Sequence, residues 1–373
     1  MVDPIDSSVE RIAGFHGSYV EDDVTFLLTV IALPRTPLQE KEALIQRGEK
    51  HYSEMLGDEH VPSSRYLALF DDAVARNGAR LARDIGVLAD RLAASHERVC
   101  LVSLARAGTP IGVLLRRALA RRGVPVRHAS ISIIAGRGVD EAALDHLRGH
   151  ERVADHEIIF VDGWTGKGVI SDALTAAVQR YNASRQARLD DTLHVVVDLC
   201  GRSRAAATTD DYLIPSCLLG ATVSGLVSRS ILNEVSRAAG PFHGCAFSPN
   251  LGAVDRSRSF VDEIDALSPS LAPASPPVTV AEAPRDLVRE RRAAHDAVAG
   301  LCERLALPPA HIKVGIGEAT RVLLRRVPQR LVVRDPGFDD VRGTVALAEE
   351  KGIVVEVDAA LPWAALAVIE RVA

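Results

Sequence analysis

Residues 156–174 read HEIIFVDGWTGKGVISDAL, and this stretch decides the fold that the sequence predicts. An apolar run ends at Asp162, a glycine-rich loop follows, and a helical pattern begins near Val169. Backbone N–H groups at the start of a helix, left accessible by glycines, favour a bound anion. The stretch therefore predicts a strand, a phosphate-binding loop and a helix.

Two common nucleotide motifs do not fit this loop. A Walker A loop needs four residues between its first glycine and the Gly-Lys pair, and then Ser or Thr. Here only two residues separate Gly163 from the Gly-Lys pair, and Gly168 stands where the hydroxyl is required. The dinucleotide pattern G-x-G-x-x-G is absent from the loop as well. An ATPase P-loop and a dinucleotide-binding loop are therefore not expected.

A second strand–loop–helix unit precedes the first. The stretch VCLVSLARAGTPIG, residues 99–112, is β-rich at its start and then opens a helix. Further strand patterns are VRHASISII at 126–134 and LHVVVDLCG at 193–201, with a helical pattern at 169–184 before the latter. Strands that alternate with helices predict a mainly parallel sheet with ligands at the carboxyl ends of its strands.

Composition narrows the class of protein. The chain has 373 residues, enough for two or three domains, with 47% apolar residues and a formal net charge of -5 that argues against indiscriminate polyanion binding. Its five cysteines are scattered and never in C-x-x-C spacing, which predicts reduced thiols and no zinc site. No signal peptide and no membrane-spanning run is expected, so we predict a cytoplasmic protein.

The pattern of elements suggests four segments. Residues 1–95 are expected to be a mainly helical N-terminal extension of the core, with a helix-breaking glycine inside the helical pattern at 63–95. Residues 96–267 form the predicted α/β core. Residues 268–284 are rich in Pro, Ser and Ala and predict a linker. Residues 285–373 are expected to be a compact α/β unit.

The two loops together resemble those of type I phosphoribosyltransferases, so the expected fold is a phosphoribosyltransferase-like parallel sheet. The resemblance implies that Asp162 orients a ribose and binds Mg²⁺. It also implies a 5-phosphate loop of Gly163, Trp164, Thr165, Gly166, Lys167 and Gly168, in which Trp164 stacks on a base. Pyrophosphate would be held by Arg106, which acts in catalysis, and by Ala107, Gly108 and Thr109. Residues 131–147, with Arg137, occupy the position of a mobile flap.

One feature departs from that pattern. Many of those enzymes carry two successive acids at the strand end, whereas Asp162 is followed by Gly163. The second acid could instead be Asp198, Asp210 or Asp211.

Whole phrases of the sequence resemble one bacterial family. They include GSYVEDDVTFLL at 17–28, EKEALIQRGEKHYSEML at 40–56, LVSLARAGTPIGVLL at 101–115 and DDYLIPSCLLGATVSGLVSRSILN at 210–233. They resemble the StiP family, a phosphoribosyltransferase-like domain of tellurium-resistance and stress-response gene neighbourhoods that is also labelled a cysteine protease. A protease needs an activated thiol beside a histidine, and Cys217 with His243 is the best pair available. Three functions stay open: a phosphoribosyltransferase, a non-catalytic sensor or RNA-binding regulator, and a thiol protease.

The C-terminal unit resembles the Pelota-type RNA-binding domain. The resemblance places RNA contacts on a stretch that begins at a helix start: Lys313, Gly315, Gly317, Glu318, Thr320 and Arg321. Arg325 belongs with Arg321 to a local basic group that also includes Arg326, Arg330 and Arg334. The expected partners are phosphoribosyl pyrophosphate or a 5-phosphoribosyl nucleotide, RNA, and further copies of the chain in a homo-oligomer. The linker predicts that the C-terminal unit folds and binds RNA alone.

Overall fold

The structure is a computed structural model that describes residues 14–57, 59, 61–268, 296–304, 306–325 and 328–369. After Ser268, the predicted linker lies outside the described residues.

Among the described residues, both ends are defined for nine α-helices and fifteen strands. The helices are α1 Leu38–Gln46, α2 Ser64–Ser95, α3 Thr109–Arg121, α4 Glu141–Asp145, α5 Val169–Arg185, α6 Glu234–Ala239, α7 Ser257–Leu267, α8 Ile316–Arg325 and α9 Asp339–Glu350. The strands are β1 Thr25–Leu27, β2 Thr29–Val30, β3 Arg35–Thr36, β4 Leu56–Gly57, β5 Val99–Ala105, β6 Val126–Ile134, β7 Gly138–Val139, β8 Ile158–Thr165, β9 Leu193–Asp198, β10 Ala205–Thr208, β11 Gly244–Cys245, β12 Ile312–Val314, β13 Arg330–Val333, β14 Val354–Val357 and β15 Ala365–Val368.

The main sheet has the strand order β1-β6-β5-β8-β9-β10, and β7 pairs with β6. Every pair along this order is parallel, and only β7 is antiparallel. Apolar residues cover both faces of the inner strands, so helices must bury both. Residues of α2, α3 and α7 pack on one face and residues of α5 on the other. The predicted α/β fold with a parallel sheet is confirmed.

The strand order has a topological switch point between β5 and β8. From β5 the chain passes through α3 to β6 on one side, and it later returns to β8 on the other side of β5. Helices leave the sheet in opposite directions at such a point, which opens a crevice at the carboxyl ends of the two strands. Both loops that the sequence singles out follow these strands.

Glycines allow α3 to lie very close to the sheet. A Cβ atom on Gly108 would lie 2.7 Å from the carbonyl oxygen of Val161 on β8, and one on Gly112 would lie 2.6 Å from Cε1 of His128 on β6. These distances are shorter than any real Cβ contact. The first turn of α3 and the residue before it therefore rest directly on β6 and β8.

Helix α2 runs without a break through Gly78, so the prediction of a helix-breaking glycine is wrong. Ser63 caps the helix, because its side chain accepts from the backbone N–H of Tyr66 at 3.2 Å. A Cβ atom on Gly78 would lie 3.1 Å from Ile264 and 3.2 Å from Leu267, both on α7. The glycine serves the close packing of two helices rather than ending one.

The N-terminal residues are less helical than expected. Between residues 14 and 57 the chain forms short strands besides α1, and β1 pairs with β6 at the edge of the main sheet. These strands are only two or three residues long. Runs so short carry too little alternation to be recognised from sequence.

The C-terminal unit is a four-stranded sheet of order β12-β15-β13-β14, with α8 and α9 packed against it. From β12 to β14 the strands alternate with α8 and α9, as expected for the compact α/β unit that the sequence predicts. The sequence did not predict β15, which pairs antiparallel with both β12 and β13. Its sequence, ALAV, is half alanine, a residue with low β propensity.

The C-terminal unit packs directly on the core. Apolar residues of both parts form one continuous buried cluster. Indole Nε1 of Trp363 donates to the carbonyl oxygen of Leu199 at 3.0 Å. The buried carboxylate of Asp340 accepts from Nδ2 of Asn77 at 2.8 Å and from the N–H of Leu213 at 3.1 Å.

A membrane span is not found in the described part of the chain, where every helix is too short or too polar to cross a bilayer.

Candidate functional site

Strand β8 continues past Asp162, so the strand ends later than the sequence predicts. Asp162 lies opposite Val195 of β9, and the pairing continues to Thr165. The N–H of Leu199 also donates to the carbonyl oxygen of Thr165 at 2.9 Å. Backbone pairing with β9 thus converts half of the predicted loop into strand. Only 166–168 remain as the connection to α5, whose first N–H groups lack intrahelical acceptors.

Asp162 is a buried acid with a strongly perturbed pKa. Its side chain is 8% exposed, and burial raises its pKa to about 7. The N–H of Gly163 donates to Oδ1 at 2.8 Å and, with the nearby charge of Arg321, opposes the shift, while Glu318 adds to it. A buried carboxyl whose pKa lies near neutrality, close to the carboxyl ends of β5 and β8, is typical of a functional site.

Lys167 brings a second perturbed group to the same loop. Its Nζ donates to the carbonyl oxygen of Pro309, and burial together with Lys313 lowers its pKa to about 8. Gly166, next to it, packs against Val314, since a Cβ there would lie 3.4 Å from the Val314 carbonyl oxygen. Lys167 of the predicted phosphate loop and Lys313 of β12 therefore bring two positive charges close together.

Arg106 follows β5 at the switch point, but its charge is engaged. Its Nη1 donates to Oε1 of Glu59 at 2.6 Å and to the carbonyl oxygen of Val227 at 3.0 Å, and its side chain is 9% exposed. The Ala105–Arg106 peptide bond is cis. Glu59 was not predicted as a site residue, because it lies outside any recognisable sequence motif.

The rest of the predicted pyrophosphate loop is tightly hydrogen-bonded. Oγ1 of Thr109 lies 2.8 Å from Oγ of Ser130, and the N–H of Thr109 donates to the Arg106 carbonyl oxygen at 3.2 Å. The N–H of Gly108 donates to the Leu104 carbonyl oxygen at 3.0 Å. The two predicted loops nevertheless meet, because a Cβ on Gly163 would lie 3.6 Å from the carbonyl oxygen of Ala107.

The predicted flap is tied to the N-terminal segment. Arg137 donates to a carboxylate oxygen of Glu54 and to the carbonyl oxygen of Leu232, the latter at 3.0 Å. The hydroxyl of Tyr52 accepts from the N–H of Ala135 at 2.8 Å. Tyr52 and Glu54 belong to the polar stretch RGEKHYSEM at 47–55, and no pattern in that stretch predicts these contacts.

The predicted protease pair is not brought together. Nδ1 of His243 lies 2.8 Å from Oγ of Ser132 at the end of β6. Cys217 instead lines a cavity with Val197 of β9, and two strands separate β6 from β9. At about 4.8 Å per strand, β6 and β9 are about 14 Å apart. The catalytic contact between a thiol and an imidazole is therefore absent from this pair.

Three other thiols are poor nucleophiles. Cys100, Cys200 and Cys245 are buried, and burial raises the pKa of each to about 12. A thiolate is the reactive form of cysteine, and it is scarce at neutral pH when the pKa is so high.

The predicted RNA-binding stretch faces the core. The guanidinium of Arg321 lies 5.2 Å from the ring centroid of Trp164 and pairs with Glu318 at 3.0 Å. A Cβ on Gly317 would lie 3.1 Å from Sγ of Cys217. Gly315 has a φ of 93°, and a Cβ there would overlap Leu199. The surface expected to contact RNA is thus packed over the predicted phosphate loop.

Two members of the RNA-binding prediction have other contacts. Oγ1 of Thr320 is buried and bonds to the Ile316 carbonyl oxygen and to Thr344, both at 2.7 Å. Arg330 pairs with Glu356 at 3.0 Å on the sheet. The side chain of Arg325 and the whole of Arg326 lie outside the described residues.

The three alternative acids have separate roles. Asp198 accepts from the N–H groups of the turn that follows β9, including Ser203 at 2.8 Å. Asp210 pairs with Arg80 on the surface at 2.6 Å. Asp211 reaches across to the C-terminal unit, where it accepts from the N–H of Ile316 at 3.0 and 3.2 Å. Burial raises its pKa to about 6.

Comparisons with known proteins agree with this organisation. A family model described as tellurite-like stress resistance cysteine protease StiP matches residues 17–265, and one described as PELOTA RNA binding domain matches residues 306–371. A curated relative, the cysteine protease StiP of Acinetobacter baylyi, is 37% identical over an alignment that covers 96% of this chain and 95% of the relative.

Solved phosphoribosyltransferase structures are similar over part of the chain. A hypoxanthine phosphoribosyltransferase from Trypanosoma cruzi, in complex with the product IMP, shares 16% identity with a TM-score of 0.29, covering 37% of this chain and 78% of that one. An alanine mutant from a study of an invariant aspartic acid in HPRTs shares 17% identity with a TM-score of 0.27, covering 36% and 81%. The family model spans most of the chain and the curated relative nearly all of it, so the chain belongs to the StiP family and carries a PELOTA RNA-binding domain.

Proposed function

We propose that the core binds phosphoribosyl pyrophosphate or a 5-phosphoribosyl nucleotide and acts as a phosphoribosyltransferase. The observation that carries the proposal is Asp162, a buried acid with a pKa of about 7 at the topological switch point. A buried carboxylate destabilises a protein unless it is paired and hydrogen-bonded. This one lies near the position where doubly wound sheets bind ligands.

The loop residues divide the ligand between them. The N-terminus of α5 and Lys167 supply positive charge for the 5-phosphate, and the Asp162 carboxylate is placed to accept from the ribose hydroxyls. Arg106 lies beside them in an ion pair with Glu59. Pyrophosphate would replace Glu59 as its partner, so binding would exchange one anion for another.

Mg²⁺ fits this site only together with the substrate. No group of three His, Cys, Asp or Glu side chains suited to a metal occurs among the residues that the structure describes. Mg²⁺ is commonly held by one or two carboxylates, with substrate phosphates and water completing its shell. Asp162 meets that requirement, and the ion would neutralise charge on the pyrophosphate.

The reaction at ribose C1 needs little covalent help from the protein. The bond to the leaving group breaks as positive charge develops on the ribose, and pyrophosphate is the leaving or the attacking group. Positioning and charge stabilisation supply the rate. Asp162 would orient the sugar, and Arg106 would stabilise charge on the pyrophosphate.

RNA is the proposed partner of the C-terminal unit, on the basis of its PELOTA domain. The family description supports a role in a tellurium-type stress response. Free cysteines throughout support a reducing compartment such as the cytoplasm. A homo-oligomer remains a prediction.

Two other functions remain candidates. A non-catalytic sensor is favoured by one observation, namely that the C-terminal unit covers the Asp162 loop. A cysteine protease is favoured by the name of the relative from Acinetobacter baylyi. The separation of Cys217 from His243 and the burial of the thiols count against it.

Calorimetry tests the proposal. Phosphoribosyl pyrophosphate with Mg²⁺ should bind, and Asp162→Asn should weaken binding roughly tenfold to a hundredfold, since a charge-assisted contact contributes about 1.5–3 kcal/mol. Asp210→Asn, the same change on an exposed side chain, should leave binding unaltered. Absence of heat with and without Mg²⁺ would refute the proposal. Peptide cleavage that Cys217→Ala abolishes would favour the protease instead.

A further inference from the structure

We infer that Asp211 acts as an internal substitute for an RNA phosphate, which holds the RNA-binding surface closed over the Asp162 loop until RNA displaces it. This inference concerns the regulation of the proposed phosphoribosyl site and rests on that proposal for its consequence. The competition between Asp211 and RNA stands separately, on the contacts between the core and the C-terminal unit.

The position of Asp211 is that of a bound anion. Its two carboxylate oxygens accept from the N–H of Ile316, at 3.0 and 3.2 Å, and Ile316 begins α8. Oδ2 also accepts from the N–H of Ala364 at 2.8 Å. The N-terminus of a helix carries partial positive charge and free N–H groups that favour an anion. A carboxylate from the core therefore fills an anion site of the RNA-binding unit.

The same contact leaves no room for RNA. Gly315 and Gly317 approach the core so closely that a single added carbon would touch Leu199 or Cys217. One helical turn further along α8, Arg321 lies over Trp164 of the core. A nucleotide is far larger than these gaps, so RNA can reach the start of α8 only when the two parts separate.

Burial of the Asp211 carboxylate is electrostatically unfavourable, so another anion can replace it at the start of α8. Burial raises the pKa of Asp211 to about 6, so the docked carboxylate loses more by desolvation than its hydrogen bonds return. A phosphodiester bears a permanent charge and would bring further phosphates to the neighbouring basic residues. RNA can thus compete for the site, and its binding would uncover Trp164 and the Asp162 loop.

A direct test compares RNA binding by two variants of the full chain. Fluorescence anisotropy with a fluorescein-labelled RNA hairpin that contains an asymmetric internal loop serves as the assay. Asp211→Ala removes the carboxylate from α8 and should tighten binding at least about tenfold, as expected for the loss of a competing charge-assisted contact. Asp210→Ala removes the same charge from an exposed neighbour and should change binding less than about twofold. Equal effects of the two variants would overturn the inference.

A disulfide lock provides the second test, which does not depend on the stability of Asp211→Ala. A Cβ on residue 317 would lie 3.5 Å from Cβ of Cys217, within the range for a disulfide. Gly317→Cys should therefore bind RNA more weakly when it is oxidised than after a reducing agent has been added to the same sample. Gly317→Cys with Cys217→Ala, which cannot form the bond, should show no redox effect. Equal RNA binding by the oxidised and reduced single variant, or no RNA binding by any form, would overturn the inference.

A third measurement separates this inference from the proposed function. Calorimetry with phosphoribosyl pyrophosphate and Mg²⁺ should show tighter binding when the hairpin is present, because the loop is then uncovered. No heat in either condition would count against the proposed function while the lock still reports on Asp211. Heat that the hairpin leaves unchanged, with RNA bound, would contradict the coupling.

Discussion

Replacing Asp162 by asparagine should stabilise the protein, and more so as the pH rises. Burial raises the pKa of this carboxyl to about 7. In the unfolded chain the same group titrates near 4, so the folded state holds the proton more tightly between these values. The contribution of Asp162 to stability is therefore complete below about pH 4 and is lost as the pH rises through about 7. Asparagine has no charge to desolvate, and its Oδ1 still accepts from the N–H of Gly163.

The magnitude follows from the size of the shift. A raised pKa of about three units corresponds to roughly 4 kcal/mol of destabilisation once the carboxyl is fully ionised. Part of this destabilisation is already present at about pH 5. The stability advantage of Asp162→Asn should therefore widen by roughly 2–3 kcal/mol between about pH 5 and about pH 8.

Urea unfolding of both proteins at the two pH values measures the effect. Asp210→Asn is the control, because this side chain is 71% exposed and its charge remains solvated in the folded protein. An advantage that is the same at both pH values would show that burial does not hold the charge of Asp162 at a cost. A destabilised variant at about pH 8 would show that the carboxylate has partners that outweigh its desolvation.

Two further predictions concern packing. Trp363→Phe keeps an aromatic ring but leaves the Leu199 carbonyl oxygen without the indole donor. It should lower stability by about 1 kcal/mol and speed hydrogen exchange in α8. Unchanged exchange in α8 would contradict the role of this contact in docking. Gly112→Ala places a carbon 2.6 Å from Cε1 of His128 and should lower stability by about 1–3 kcal/mol in thermal unfolding. Gly86→Ala on α2, where the nearest atom is 3.8 Å away, should instead raise stability slightly, and similar losses in both variants would argue against the close approach of α3.

The competing acids show what spacing alone left undecided. Asp198, Asp210 and Asp211 were equivalent alternatives in the sequence, because each follows or lies near a strand. Their roles differ because their partners are distant in the chain: Arg80 for Asp210, and Ile316 for Asp211. Sequence spacing carries no information about such pairs. The same reason explains why Glu59, the partner of Arg106, was not identified.

Local sequence by itself determined the inner strands β5, β6, β8 and β9 of the core sheet, the helices α3 and α5, and the position of both loops. Apolar runs of strand length and amphipathic helical patterns depend on neighbouring residues, and β5, β6, β8, α3 and α5 were predicted on that basis. The alternation also determined the parallel sheet, since a strand–helix–strand unit has few ways to bury both faces.

Tertiary structure alone decided how far β8 extends, which groups the candidate site residues meet, and where the C-terminal unit lies. Pairing with β9 carried the strand beyond Asp162, because hydrogen bonds to a neighbouring strand outweigh local glycine content. The docking of α8 over the Asp162 loop depends on Asp211, Asp340 and Trp363 meeting partners more than a hundred residues away. Such contacts arise from the complementarity of two folded surfaces, which no local pattern encodes.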